Sequence, residues 1–365
     1  MREHDTDGGL APQSHYARKK VVIVDDSRTI RSWLRFVLDQ DPRLEVVGEA
    51  DSATEARRVI KEVRPDVITL DIEMPGMNGL SFLEKLMTLR PMPVVMISST
   101  TESNSEATII ALSLGAVDCI LKPTSPTDET ARRDISRRVF SAACSSVQFT
   151  PKPVQRDLSP TRDRGQSMPI ILIGASTGGV AALERVLVDL PANSPPVVIV
   201  QHMPGAFLVS FSQKLNRLLP HDVALAREDE LLGYGQIRLA PGLGQHTGVL
   251  RGSGRWRCRF QYSDAADLHC PAVDALFHSA IPHAKEVIAI ILTGLGKDGA
   301  EGMLGLRQAG ATTIGQDAES SVVYGMPRAA WELGAVQEQF ALHHIGAAAT
   351  RAIEAHARKP KEGVI

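Results

Sequence analysis

The chain has 365 residues, enough for two domains. Hydrophobic residues make up 43% and charged residues 22%, a globular balance, and the formal net charge of -2 gives no electrostatic reason to bind nucleic acid or an anionic membrane surface. No apolar run approaches a membrane span, residues 1–18 are polar and read as a disordered tail rather than a secretory leader, and Cys119, Cys144, Cys258 and Cys270 form no C-x-x-C pair, which suits a reducing cytosol.

Residues 21–24 form an apolar strand ending in Asp25-Asp26. Ser27 can cap the next helix, where Ile30, Leu34, Val37 and Leu38 recur at helical spacing. A strand at 44–47 and a helix carrying Ala56, Val59, Ile60 and Val63 follow. A strand at 67–70 ends in Asp71, and the helix after it carries Leu80, Leu83 and Leu86. A strand at 94–97 ends in Ser98-Ser99 and precedes a polar helix near 106–114. A strand at 119–121 ends in Lys122-Pro123, with a helix from about 128 to 142. Five strand–helix repeats with short loops predict a five-stranded, doubly wound parallel sheet.

The polar residues fall at the carboxyl ends of strands, where open α/β sheets bind ligands. Asp25, Asp26 and Asp71 would meet there. Three carboxylates need a cation to sit close, and hard oxygen donors suit Mg²⁺. Lys122 adds a positive charge and Ser98 a hydroxyl. Together they read as a device for phosphorylating an aspartate: metal and lysine neutralise the incoming phosphoryl group while a carboxylate attacks it. Helix capping or surface charge would account for any one of these residues, but not for the set.

Val21-Val-Ile-Val-Asp-Asp-Ser27, Thr69-Leu-Asp-Ile-Glu-Met-Pro-Gly-Met-Asn-Gly79, Val94-Val-Met-Ile-Ser98 and Leu121-Lys-Pro123 resemble the receiver domain of bacterial response regulators, here expected over 19–140. The resemblance implies Asp71 as phospho-acceptor and Asp25, Asp26, Asp71 and the Glu73 carbonyl as Mg²⁺ ligands. It also implies Ser98 as switch hydroxyl, Lys122 as phosphate partner and a chemosensory histidine kinase as donor. Cys119 stands where that family more often has an aromatic switch residue, which questions the usual rotamer switch but not phosphorylation.

Residues 141–168 change character, with Pro151-Lys-Pro153, Ser159-Pro160 and a mixed-charge run through Arg164, and read as a linker. Next, the apolar strand at 170–173 runs straight into Gly174-Ala-Ser-Thr-Gly-Gly179, and helical spacing resumes at Val180 and Leu183. Such a turn can present the Ser176 hydroxyl beside the N–H groups of a helix start, although glycine-rich turns also bind phosphate or merely pack closely. Strand 197–200 leads to Gln201-His202-Met203-Pro204, and strand 287–292 to Thr293-Gly-Leu-Gly-Lys-Asp298-Gly299. If these three strands are neighbours, Ser176, His202 and Asp298 share one sheet edge, as a Ser–His–Asp relay requires. The chain order Ser, His, Asp differs from the Ser, Asp, His of α/β-hydrolases. His246, in a glycine-rich loop, and His343 and His344 compete for the base; His202 is preferred because a strand end is rigid. Residues 237–241 read as a short strand and turn, 249–250 and 256–262 as an antiparallel hairpin, and Pro271 as the start of a helix with Val273, Leu276, Phe277 and Ile281 as its core stripe.

Ile173-Gly-Ala-Ser-Thr-Gly-Gly179, Gln201-His-Met-Pro204, Thr293-Gly-Leu-Gly-Lys-Asp-Gly-Ala300, Pro271-Ala-Val-Asp-Ala-Leu-Phe277 and Val322-Val-Tyr-Gly-Met-Pro-Arg328 resemble the catalytic domain of chemotaxis protein-glutamate methylesterases, the CheB family. The resemblance implies a mainly parallel α/β domain over 169–358 with an antiparallel edge hairpin, before a tail at 359–365. It implies Ser176 as nucleophile, His202 as general base and acid, Asp298 as orienting carboxylate, and backbone N–H groups of Thr177 and Leu295 as oxyanion donors. The implied reaction is hydrolysis of glutamyl methyl esters on chemoreceptors, with deamidation of receptor glutamines, under control of a receiver that covers the active site until phosphorylated. No cofactor is implied in the catalytic domain. The implied chain is a cytoplasmic monomer with kinase and chemoreceptor partners, no nucleic acid and no membrane insertion. Leu295 stands where methionine is usual, and Cys270 where arginine is. A non-catalytic signalling protein is the competing reading, and the intact Ser176, His202 and Asp298 set argues against it. A DNA-binding output domain is disfavoured because buried strands, not a basic helix-turn-helix, fill the C-terminal half.

Overall fold

The computed structural model describes residues 17–74, 79–98, 102–122, 125, 127–145, 168–263 and 269–358. The expected tails up to residue 16 and after 358, and the expected linker over 146–167, lie outside the described residues. The first unit has strands β1 (Lys19–Val24), β2 (Leu44–Ala50), β3 (Val67–Asp71), β4 (Val94–Ser98) and β5 (Asp118–Leu121). They form one parallel sheet in the order β2-β1-β3-β4-β5. Its helices are α1 (Arg28–Asp39), α2 (Ala53–Val63), α3 (Gly79–Leu89), α4 (Glu102–Ser113) and α5 (Glu129–Ala143). The two faces of β1 serve two cores. Val22 and Val24 pack among residues of α2, α3 and α4, whereas Val21 and Ile23 pack among those of α1 and α5. β2 outruns its apolar stretch because the backbone pairing with β1 continues to Val24↔Ala50. α5 likewise runs to Ala143, into the start of the segment expected as linker, because Ala142 and Ala143 are buried against the core of this unit.

The second unit contains β6 (Ile170–Ala175), α6 (Gly179–Val188), β7 (Val197–Gln201), α7 (Gly205–Leu218), β8 (Asp222–Leu225), β9 (Leu231–Leu232) and β10 (Gln236–Leu239). β11 (Gln245–Gly252), β12 (Arg255–Tyr262), α8 (Val273–Ala280), β13 (Val287–Ile291) and α9 (Ala300–Gln308) follow. β14 (Thr312–Gln316), α10 (Met326–Glu332), β15 (Glu338–Phe340) and α11 (Leu342–Arg358) complete it. Seven strands make a parallel sheet in the order β15-β14-β13-β6-β7-β10-β8. The expected hairpin is β11–β12, which β9 extends to a three-stranded antiparallel sheet. β6 is apolar along its length because both faces are covered: Ile171 and Ile173 pack with the α6, α7 and α11 side, Ile170 and Leu172 with the α8, α9 and α10 side.

The two units touch. α4 packs on α6 and α7, and one apolar cluster runs unbroken from the first sheet into the second.

Candidate functional site

β13, β6 and β7 are adjacent, so their carboxyl ends share one edge. Ser176 follows β6, His202 follows β7, and Asp298 lies in the loop between β13 and α9. The turn at Ser176 depends on Gly178, which has φ +79°. Gly174 allows close packing, since a Cβ there would lie 2.3 Å from Val273 Cγ1. The Ser176 N–H donates to the Thr293 carbonyl at 3.0 Å, and its own carbonyl accepts from Gly179 N at 2.8 Å and Gln201 Nε2 at 2.8 Å. The Ser176 turn is thus tied to both neighbouring strand ends.

His202 Nε2 lies 2.7 Å from Asp298 Oδ2. Asp298 also accepts from the N–H groups of Val273 at 2.7 Å and Asp274 at 2.9 Å, at the start of α8. Burial opposes ionisation of Asp298, but the His202 bond and charge and these backbone donors outweigh it and lower the carboxyl to about 2. With Nε2 committed to a carboxylate, the acceptor nitrogen of neutral His202 is Nδ1, which is buried and has no hydrogen-bond partner among the described residues. The N–H groups of Thr177 and Leu295 likewise meet no acceptor among the described residues.

Among the described residues none of the competing histidines bonds Asp298. His246 sits on β11, not in a loop; Gly248 on the same strand approaches Ser279 too closely for a side chain, whereas Gly242 and Gly244 take positive φ in the turn before the strand. Its Nδ1 accepts the Ala272 N–H at 3.0 Å. His343 and His344 pack on each other at the start of α11. The ring of His269 lies 4.3 Å from that of His202 at an interplanar angle of 20°. Burial, then the neighbouring His202, pushes His269 down to about 4. Gln201, read only as part of a motif, bonds the carbonyls of Ser176 and His202. Cys270 is half-buried beside this site.

At the receiver, Asp25, Asp26 and Asp71 can each offer a carboxylate oxygen within 4.8 Å of the others. Lys122 Nζ reaches Asp25 at 2.9 Å and Asp71 at 2.7 Å. Burial raises the Asp71 carboxyl even though Lys122 opposes the shift. This all-oxygen, charge-rich donor set fits a hard divalent cation, Mg²⁺ being the expected one. The Glu73 N–H is 3.4 Å from Asp71 Oδ1, so the backbone turns beside the cluster. Ser98 is buried at the end of β4, and its carbonyl accepts the Lys122 N–H at 2.8 Å. Cys119 is buried, with its thiol pushed up to about 12 by burial and within 3.7 Å of Thr108 Oγ1.

The receiver reaches the Ser176 turn directly. The Gly178 N–H donates to the Val117 carbonyl at 3.1 Å, and Thr177 Oγ1 donates to Asp118 Oδ2 at 3.0 Å. Arg138 Nε holds the same Asp118 oxygen at 2.9 Å. Lys214 bonds Glu184 at 2.7 Å, and Ser113 of α4 bonds Glu184 at 3.0 Å. Between the units lies a cavity of about 540 Å³ lined by Leu112, Val117 and Arg138 on one side and by Ser176, His202 and Met203 on the other.

A family model for the CheB methylesterase matches residues 171–349, and one for the response regulator receiver domain matches 21–133. The chain is 48% identical over 336 residues to a Caulobacter vibrioides protein named protein-glutamate methylesterase/protein-glutamine glutaminase 1, covering 90% of this chain and 96% of that one. It is 47% identical over 333 residues to a Rhizobium etli protein-glutamate methylesterase/protein-glutamine glutaminase, covering 90% and 95%. The crystal structure of the Thermotoga maritima CheB methylesterase catalytic domain is similar at 34% identity and a TM-score of 0.49, over 52% of this chain and 99% of that one. With both models matched and identity at this level along almost its whole length, the chain belongs to the CheB methylesterase family, with a response regulator receiver domain ahead of the methylesterase domain.

Proposed function

We propose that this chain hydrolyses glutamate 5-methyl esters on chemoreceptors, releasing methanol, and deamidates receptor glutamines, with phosphorylation of the receiver turning the enzyme on. Residues 19–140 act as the receiver and 169–358 as the catalytic domain. The observation that carries the reading is His202, anchored on Asp298 through Nε2 with an unpartnered, buried Nδ1 at the sheet edge that bears Ser176.

In this reading Ser176 Oγ attacks the ester carbonyl as its proton passes to His202 Nδ1. The N–H groups of Thr177 and Leu295 receive the charge that develops on the carbonyl oxygen. Collapse breaks the C–O bond, and His202 returns the proton to the leaving methoxide as methanol. Water, deprotonated by His202, then attacks the acyl-serine; the bond to Ser176 Oγ breaks, His202 returns the proton to that oxygen, and a glutamate carboxylate is left. With a glutamine substrate the leaving group is ammonia. Asp298 stays ionised and holds the imidazolium that forms.

Asp71 is the phospho-acceptor, Lys122 and Ser98 face the phosphoryl group, and Asp25, Asp26, Asp71 and the Glu73 carbonyl hold Mg²⁺. When bound, that cation neutralises phosphoryl and carboxylate charge. β5 is four residues long, with Asp118 at the end on the Ser176 turn and Lys122 just past the other. Added phosphoryl charge at Asp71 re-partners Lys122 at one end and loosens the Asp118 and Val117 contacts at the other. A chemosensory histidine kinase supplies the phosphoryl group and chemoreceptors are the substrates. No helix among the described residues is long and apolar enough to cross a membrane. The free thiols suit a reducing cytoplasm, where we place the enzyme. The test is methanol release from methylated receptor membranes: Ser176→Ala should lose on the order of 10³-fold or more, and a rate equal to wild type contradicts the reading.

A further inference from the structure

We infer that His269 is a positioning residue, whose ring stacks on the imidazole of His202 and fixes the plane in which His202 meets Ser176. The inference rests on the triad reading above. A hydrogen bond at Nε2 secures one edge of an imidazole; it leaves the ring able to rock about its bond to the side-chain stem. That rocking swings Nδ1, the nitrogen that must take the serine proton, toward and away from its target. A flat contact across the ring face removes this freedom. His269 supplies one, with ring centroids 4.3 Å apart and planes within 20° of parallel. Its own chain segment is anchored three residues on, where the Ala272 N–H donates to His246 Nδ1, and again at Val273 and Asp274, whose N–H groups hold Asp298. One stretch of chain therefore sets both the carboxylate that grips His202 and the face that flattens it. His269 is also held neutral, at about 4, so it adds no charge against the imidazolium formed in each cycle.

His269→Phe keeps a flat face without ring nitrogens; His269→Ala removes the face. In the full chain, activated by a small phosphodonor, a fluorophosphonate that labels activated serines reads the nucleophile without any receptor. His269→Ala should slow labelling on the order of fivefold, the worth of one aromatic contact, with the thermal midpoint lowered by no more than about 2–4 °C and the loss in methanol release falling on kcat rather than KM. His269→Phe should stay within about twofold of wild type on the same reasoning. Wild-type labelling in His269→Ala overturns the inference. So does a His269→Phe as slow as His269→Ala, which would mean that a ring nitrogen, not the face, matters. If wild type and Ser176→Ala both fail to label, the nucleophile reading falls. The stack is then judged by the His202 ring-proton NMR signals, which should move in His269→Ala, and unmoved signals overturn it.

Discussion

Replacing Asp298 by asparagine tests how much of the site's order flows from one carboxylate. Asp298 receives three donors: His202 Nε2 and the N–H groups of Val273 and Asp274. Together they hold its carboxyl at about 2 against an ordinary value of 3.8. A displacement of that size corresponds to about 2 kcal/mol favouring the ionised form. An amide of the same shape has one acceptor oxygen instead of two and carries no charge. It cannot accept from all three donors: with its oxygen toward His202 and Val273 its NH₂ meets the Asp274 N–H, and with its oxygen toward Asp274 its NH₂ meets the Val273 N–H and pushes His202 toward the wrong tautomer, with a proton on Nδ1. Ground-state stability should therefore fall by about 2 kcal/mol, whereas turnover, which needs the correct tautomer and an imidazolium, should fall on the order of 10³- to 10⁴-fold. The stability part has a sign. A carboxyl whose folded value is depressed contributes above its unfolded value and loses that contribution as pH falls through the folded one. The gap between wild type and Asp298→Asn in urea unfolding should thus be full above about pH 4 and shrink toward pH 2. Methanol release with the phosphodonor present reads turnover. A variant that keeps more than a tenth of wild-type kcat, or a stability gap that widens as pH falls, would refute this account of Asp298.

Asp118→Ala removes the acceptor of the Thr177 hydroxyl, a bond to a charged group worth about 1.5–3 kcal/mol. Donor-free methanol release should rise about tenfold or more while the phosphorylated rate holds; an unchanged ratio of the two contradicts the restraining role given to the Thr177–Asp118 bond. Gly174→Ala drives a Cβ to within 2.3 Å of Val273 Cγ1. It should cost about 1–3 kcal/mol in urea unfolding, and Val273→Ala in the same chain should restore part of the loss. Chelating divalent cations should abolish the response to a small phosphodonor and leave the donor-free rate in place, since Asp25, Asp26 and Asp71 sit at the receiver and not at Ser176.

What the sequence makes legible is whatever lies along the chain. Buried strands announce themselves as apolar runs, and the polar residues at or beyond their carboxyl ends, from Asp25 to Asp298, lie at the sheet edges that those runs imply. The adjacency of β13, β6 and β7 entered only as a condition, because strand order is not written in local spacing; the sheet order meets it. β14, β15 and α11 escaped notice. Thr312 to Gln316 mixes polar residues with a glycine, and β15 is three residues long, so neither shows an apolar run. His246 misled because Gly242, Gly244 and Gly248 make a strand look like a loop, whereas Gly248 serves close packing on Ser279. The contacts of His269 with His202, and of Asp118 with Thr177, join residues far apart in sequence. No periodicity carries such a signal, since nothing in either local stretch depends on the other.

The central claim is that one chain couples a phosphorylated aspartate to a serine esterase. The measurement that meets it most directly is methanol release from methylated receptor membranes, for wild type, Ser176→Ala and Asp71→Asn, each with and without a small phosphodonor and Mg²⁺. The account predicts that the donor accelerates wild type, that Ser176→Ala is inactive in both conditions, and that Asp71→Asn keeps its donor-free rate and ignores the donor. A donor response that survives Asp71→Asn would break the coupling, and methanol release that survives Ser176→Ala would break the chemistry.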